Sequence, residues 1–568
     1  MPLSTDDKRF LLGKVSLLDF KSIEMDRVLT GLFARIFHTG QDSRLKHEHT
    51  VDTFLEHFTD VENAERFRGF ANYRDIVRSW LETDLLDLVN RGRRGKEKVA
   101  APRPLHGYTY RFRNPKHCKD YGAAQHVYEM LVHTGPIGEQ ALRGLKSFFF
   151  EGIDPNTGQE DANVPVDVET QALLSLAPKN VISTDAPDPK SRQQVPPLCV
   201  GSARLLADDI IRLLQYRQKV PRSVMVEYLK ILLAFHLGLY HLRLLKLLPE
   251  LVRKKGVEPV CGRCPVVPLS PRKPQGDCPY QIGMFLDLLN QPGDPQNQSG
   301  KRLSELAEHS ADLHYRRIPA FVRANFLTKK LDEWGTFLLQ SGKLTGGVRR
   351  QLSASEVLGL LDDSHRTARE EYFGARLMKL TMETHEEDGA PDADVQTVVA
   401  LGLDHLNTYI ECLMALRCDF HRAFVVKSFD SLFLKNRPGA MLTQTRSKYA
   451  ARRFTLDSRL LEVLLQVAVM TYDGAGNYYS EEIQVDRLLE FLRDRYGLYI
   501  DQLPPRGEGF GEPAIEDRVA LRANKDAFKN KLREIGFFQE LSDAYVTQHV
   551  TPRYKVGTKP AMQRGGVA

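Results

Sequence analysis

The sequence predicts a mainly α, multidomain helical protein with a C-terminal winged-helix-like module. Three observations predict it. At 568 residues the chain exceeds one ordinary hydrophobic core, so roughly two to four packed units are expected. Apolar residues recur at three- and four-residue spacing along most of its length, and strand-like alternation is confined to short pieces. The block from Thr445 to Lys555 reads as three helices followed by two short strands. With 42% hydrophobic and 27% charged residues, the chain has the composition of a folded soluble protein.

Residues 1–150 form an expected N-terminal helical domain, with helical spacing over Ile23 to Phe37, Val51 to Phe58 and Tyr73 to Val89. From Arg91 to Lys119 the composition turns basic, with ten Lys/Arg against the single acid Glu97. Tyr108, Tyr110 and Phe112 lie among these charges, and the alternation from His106 to Arg113 suggests a short strand. Helical signals resume from Gly122 to Phe149. Residues 151–200 read as a linker or insertion, because eight acids and two lysines in 151–190 accompany scattered Gly, Pro, Asn and Ser.

Residues 201–436 form the expected central helical domain. Its helical signals fall at about 203–216, 222–253, 281–290, 302–313, 319–341, 353–383 and 394–433. A Cys/Pro/Gly-rich loop occupies 254–280 and an acidic loop 384–393. The C-terminal domain, 437–568, carries helical patterns over Ser458 to Met470, Val485 to Tyr496 and Asp517 to Ile535, and ends in a flexible tail. No internal repeat at a fixed period is present.

Charge and cysteine content restrict the function classes. The net charge of +6 is mildly basic, so the clustering of charge says more than its sum. Seven scattered cysteines do not make a disulfide scaffold. Met1-Pro-Leu-Ser-Thr-Asp-Asp lacks the basic and apolar regions of a secretory signal. The most apolar stretch, Val224 to Leu248, contains Glu227, Lys230, His236, His241 and Arg243, too many ionisable groups for a membrane span. A cytoplasmic protein without membrane attachment is expected.

Cys261-Gly-Arg-Cys264, followed by Cys278, suggests a structural zinc staple. A CxxC turn places two thiolates on one tetrahedral ion, and a long loop has little core of its own. The fourth ligand is not local; Cys199, His241, His309 and His314 are candidates, and three buried or free thiols are the competing reading. His47-Glu-His49-Thr-Val-Asp52, with His57, fits surface polar residues better than a metal cluster. His236 and His241 are five residues apart and read as core or groove-lining. Gly293 to Arg302 fails as a phosphate loop, since its glycines are misspaced and Arg302 stands where a magnesium-binding hydroxyl belongs. No nucleophile elbow or zinc-protease helix is present.

The basic segments carry a functional expectation. Arg91, Arg93, Arg94 and Lys96 suit phosphates, and the interleaved rings would stack on bases; docking on an acidic protein is the alternative. In the C-terminal block, Arg446, Lys448, Arg452 and Arg453 precede the module. The third helix would enter the major groove, presenting Arg518, Arg522, Asn524, Lys525, Lys529 and Lys531, with Arg553 and Lys555 at the wing. Many winged helices bind proteins instead, and Glu516, Asp517, Asp526 and Glu534 dilute the charge.

The run from Thr445 to Val469, Thr-Arg-Ser-Lys-Tyr-Ala-Ala-Arg-Arg-Phe onward, and the run Leu488-Leu-Glu-Phe-Leu-Arg-Asp-Arg-Tyr-Gly-Leu-Tyr-Ile-Asp501 carry a resemblance. Together they resemble accessory proteins of bacterial anti-phage defence clusters, in particular components of the methylation-associated defence system. The DptG-type proteins of phosphorothioation-dependent restriction are a more distant likeness. The resemblance covers mainly 440–556, with weaker support around 222–280. It implies a multi-protein complex in which other subunits supply ATPase, methyltransferase or nuclease activity, and it transfers no catalytic residue. The expected function is therefore a non-enzymatic, DNA-associated adaptor of a restriction-like defence complex. A nuclease with a site assembled only in space, and a winged-helix transcriptional regulator, are the alternatives.

Overall fold

The computed structural model describes residues 3–45, 48–93, 96–154, 156–176, 184–257, 278, 280–290, 297–345, 350–383, 392–445, 450–474, 476–538 and 548–558. Helices dominate, and every strand pair is short. The protein is mainly α, as expected.

The N-terminal part opens with a single turn, α1 (Thr5–Lys8), and then α2 (Met25–Phe37), which packs on α5 (Ala123–Val132) and α6 (Pro136–Phe149). Beside them lies a small satellite lobe of α3 (Val51–Thr59), α4 (Arg74–Trp80), α7 (Val168–Leu176) and a hairpin. The lobe has its own core of Phe54, Phe58, Phe67, Leu81, Leu85 and Leu173. The strand pair β1 (Asp42–Ser43) with β4 (Pro187–Asp188) lies against α2, while the hairpin of the lobe is β2 (Leu86–Val89) with β3 (Lys98–Pro102).

The helix expected over Tyr73 to Val89 is therefore shorter. It stops at Trp80, passes through one π-helical turn at Leu81–Leu85 and becomes β2. Pairing with β3 supplies the backbone bonds that a continued helix would have made.

The central part contains α8 (Val200–Leu214), α9 (Arg222–Arg253), α10 (Gln298–Tyr315), α11 (Ile318–Gln340), α12 (Ala354–Gly359), α13 (Arg366–Glu383), α14 (Ala393–Val399) and α15 (His405–Leu432). Helix α9 is the hub. It is apolar on all sides, as a helix enclosed by others must be, and touches α2, α8, α11 and α15. By length and composition it could cross a membrane, but 94% of its apolar window is buried inside the protein. It is a core helix.

The helical signal at 281–290 is not realised. This segment is extended, and its strand β5 (Met284–Phe285) pairs in parallel with β11 (Leu498–Tyr499) far along the chain. Gly497 makes the pairing feasible. It ends the preceding helix at φ +77°, and an added Cβ would lie 1.8 Å from the carbonyl oxygen of Ile282, so only glycine permits so close an approach.

The C-terminal part contains the hairpin β6 (Leu442–Thr443) and β7 (Arg453–Phe454), then α16 (Ser458–Ala468) and the hairpin β8 (Met470–Tyr472) and β9 (Tyr478–Ser480). Next come β10 (Ile483–Gln484), α17 (Val485–Tyr496), β11, α18 (Ile515–Glu534) and β12 (His549–Val550). Strand β10 pairs antiparallel with β12, and Phe538 bridges to Val550. The segment 539–547, within the two-strand pattern expected after the third helix, lies outside the described residues. One hydrophobic cluster runs from Phe10 to Val550, so the leucines of α16 and α17 share a core with those of α9.

Candidate nucleic-acid interface

The basic run at 91–119 divides into two structurally different parts. Its first part is the tip of the β2–β3 hairpin, turned by Asn90 (φ +58°) and Gly92 (φ +79°), with the Gly92 amide donating to Glu97 Oε1 at 2.6 Å. Arg91, Arg93 and Lys96 are exposed there and make no ion pair among the described residues. Arg94 lies outside the described residues.

The second part corrects an expectation. Tyr108, Tyr110 and Phe112 are buried, so they offer no faces for base stacking. Residues Gly107–Phe112 form a 3₁₀ segment and not a strand. Arg111 is buried with them, its guanidinium over the Tyr108 ring (4.6 Å to the centroid) and its Nε donating to Asp185 Oδ2 at 3.2 Å. Asp185 also accepts from Ser43 Oγ at 2.7 Å and lies 3.0 Å from His38 Nε2. Burial alone would raise its pKa, but the hydrogen bonds from His38, Tyr110 and Ser43 hold it at about 2. These side chains clamp segment 184–192 to the body.

Arg452 and Arg453, before the C-terminal module, are likewise committed. Arg452 makes two bonds to Asp430, at 2.7 and 2.8 Å. Arg453 is 3% exposed and donates to Asp287 Oδ2 (3.1 Å), Ser304 Oγ (2.7 Å) and Asn290 Oδ1 (3.2 Å). It is a core residue and not a surface cation, because β7 runs beside α10 and turns the side chain inward. Arg446 and Lys448 lie outside the described residues.

Helix α18 has two faces set by its sequence spacing. Asp517, Ala520, Leu521, Asn524, Phe528 and Leu532 are buried against the body, chiefly on α10. The opposite face is exposed and carries Arg518 and Arg522, neither in an ion pair among the described residues, beside Ile515 and Val519.

Lys525 pairs with Asp486 at 2.6 Å and Lys529 with Asp526 at 3.8 Å. Arg553 pairs with Glu462 at 3.1 Å. Partly exposed pairs of this kind contribute little stability, about 0–1 kcal/mol, and exchange readily for a phosphate. Lys555 is exposed.

Two residues expected on the exposed face turn to the body, Asn524 buried and Lys531 half-buried. Asn524 is fully buried; its Nδ2 donates to Leu286 O (2.8 Å) and Ile500 O (2.9 Å), and its Oδ1 accepts from Leu288 N (2.9 Å). It thus pins α18 to the β5–β11 junction. Lys531 donates to Leu456 O at 3.0 Å. Asp517 accepts from the Ala514 amide at the helix start and pairs with Arg302 at 2.7 Å.

The metal expectation falls partly outside the described residues, as Cys261 and Cys264 do. Cys278 is half-buried and forms no disulfide among the described residues. The proposed fourth ligands have other partners. His314 is bonded to Gly283 O (3.1 Å) and Arg317 (3.0 Å), and His309 to Gly509 O (3.2 Å). His241 lies 2.9 Å from Ser16 Oγ, and Cys199 accepts from Ser202 Oγ. Among the described residues no three His, Cys, Asp or Glu side chains are gathered as a metal would need. His47 lies outside the described residues; His49 sits edge-on to Phe54 and His57 bonds Ser175.

Sequence reasoning missed two clusters. One is a buried network of Asp208, Asp209, Arg212, His236, Arg495 and Tyr496, whose members lie too far apart in sequence to be grouped by spacing. The other is on α15, where Arg417, Phe420, Phe424 and Lys427 stand at helical spacing on one face. The three- and four-residue spacing of these rings and cations is the signal that could have found it.

A helical body that presents unpaired arginines on an exposed helix face and on a hairpin tip defines a helical protein with discrete basic surfaces. Its family is more specific. Residues 5–554 match the family model described as methylation-associated defense system protein MAD7, so the chain belongs to that family. No curated protein and no solved structure matches it. Membership places the chain in a methylation-associated, antiviral defence system and implies partner components of that system.

Proposed function

We propose that the protein is a non-enzymatic accessory subunit of its defence complex and contacts duplex DNA through the exposed face of α18. The observation that carries this reading is the pair Arg518 and Arg522. They are exposed, unpaired among the described residues and one turn apart on a helix whose other face is fully docked. The order α16, β10, α17, α18, β12, with β12 returning to β10, supports a winged-helix arrangement in which α18 is the reading helix. The Arg91–Lys96 tip is a second phosphate contact, and Lys525, Lys529 and Arg553 would exchange their acidic partners for phosphates.

Catalysis would reside in other subunits, an ATPase, methyltransferase or nuclease, working with this one in the cytoplasm. A zinc staple on Cys261, Cys264 and Cys278 belongs to the same reading. The half-buried, unbridged Cys278 thiol supports it.

The experiment is a pull-down of tagged protein from its host, with and without nuclease treatment, alongside duplex binding by the purified chain. Partners that survive nuclease and duplex binding that fails in Arg518→Glu/Arg522→Glu support the reading. Duplex binding unaffected by that variant removes α18 from the interface.

A further inference from the structure

Helix α15 carries a surface that differs from α18 in having rings as well as cations. Phe420 and Phe424, one turn apart, place their ring centroids 4.8 Å apart, and Phe420 is 46% exposed. The Arg417 guanidinium lies 4.1 Å from the Phe420 centroid. Lys21 and Lys427 hold their ammonium groups 3.9 and 5.2 Å from that of Phe424. Arg422 is exposed on the same helix but, two residues on from Phe420, points to its other side.

The balance of charge here is one-sided. From 415 to 427 the acid is Asp419 alone, and none of Lys21, Arg417, Arg422 and Lys427 forms an ion pair among the described residues. The buried Nε of Arg417 has no hydrogen-bond partner among the described residues. His421, stacked on Phe10 at 4.6 Å, senses the same field. Burial first, then Arg417, Lys21 and Lys329, push its pKa down to about 4. Every charged neighbour acting on that imidazole is positive.

We infer that this face of α15 binds single-stranded nucleic acid, with the exposed Phe420 ring stacking on a base and Lys21, Arg417 and Lys427 holding the flanking phosphates. Polyanion and ring face together are what single strands offer, since bases in a duplex are already stacked. The exposed face of α18 has aliphatic Ile515 and Val519 between its arginines and no ring, so the two surfaces suit different forms of nucleic acid. This inference stands apart from the duplex reading and can fail without it.

The test measures binding of a labelled oligo-dT and a labelled duplex to the full chain by fluorescence anisotropy. Phe420→Ala should raise the oligo-dT Kd by about fivefold or more, the lower end of one lost stacking contact, while Phe420→Tyr keeps wild-type affinity. Lys21→Glu/Lys427→Glu should weaken oligo-dT binding and flatten its salt dependence. Duplex affinity should stay within about twofold in these variants and fall in Arg518→Glu/Arg522→Glu, whose oligo-dT affinity is retained. No oligo-dT binding by the wild type overturns the inference. So does an unchanged Kd in Phe420→Ala, and if charge reversal still weakens binding, the patch is a general polyanion or acidic-protein contact.

Discussion

Arg495 Nε donates to Asp209 Oδ1 at 3.1 Å across 286 residues of sequence, joining α17 to α8 in the middle of the shared core. Both side chains are buried. Asp209 also accepts from Tyr496 (2.7 Å) and lies 2.8 Å from His236 Nε2, while Arg495 reaches Asp208 at 2.6 Å. Burial alone would raise the Asp209 pKa, yet Arg495 and His236 hold it at about 2. The C-terminal helices are thus tied to the body by ions as well as by leucines.

Removing one partner of such a buried pair leaves the other charge uncompensated, a loss of about 3–5 kcal/mol. Arg495→Met should therefore lower the thermal midpoint strongly, and Asp209→Asn/Arg495→Met together should recover part of it. Additive losses in the double variant would show that the two groups are not coupled.

Arg453 provides a contrast between structural and DNA-contacting arginines. Arg453→Met strands the buried Asp287 carboxylate, so stability should drop by on the order of 3 kcal/mol. The salt slope of duplex binding should stay as in the wild type. A reduced slope at unchanged stability would put this guanidinium on a phosphate after all.

The α18 proposal makes the opposite prediction. Arg518→Ala/Arg522→Ala touches no buried partner and should leave the thermal midpoint within about 1 °C, as surface changes do. If each arginine neutralises one phosphate, the slope of log K against log salt should shrink by about 0.9 per residue. An identical slope rules out both contacts.

Acid sensitivity should begin near neutrality. Burial depresses His241 and His314 to about 4 and His106 to about 3, whereas in the unfolded chain they titrate near 6.5. Between these values the unfolded state binds more protons, so stability falls as pH drops below about 6.5. Below about pH 4, Asp185 and Asp209 add a further loss, complete near pH 2. Thermal midpoints from pH 8 to 5 check the first stage. A level profile would mean that the folded protein protonates these imidazoles freely.

For the cysteine loop, metal analysis of the purified chain decides the matter. Cys261→Ser should lower zinc content and the thermal midpoint together. Wild-type protein that is free of metal when purified without chelator disposes of the staple.

Periodicity made the helical class legible, because amphipathic spacing is a local property of the chain. The largely apolar α9 and the exposed Arg518 and Arg522 of α18 follow from residues within a few turns of one another. The resemblance over 440–556 also pointed to the family that the whole chain fits.

What spacing could not reveal depended on partners far away in sequence. Segment 281–290 has a helical pattern but becomes extended because β11 offers it a backbone ladder. Arg453, Asn524 and Tyr110 read as surface groups until Asp287, Leu286 and Asp185 are brought against them. Burial of a polar side chain is stable only where folding supplies its hydrogen bonds, and those partners lie tens to hundreds of residues away. Residue type and local spacing therefore carried the class of the fold, and long-range contacts settled which cations were left facing solvent.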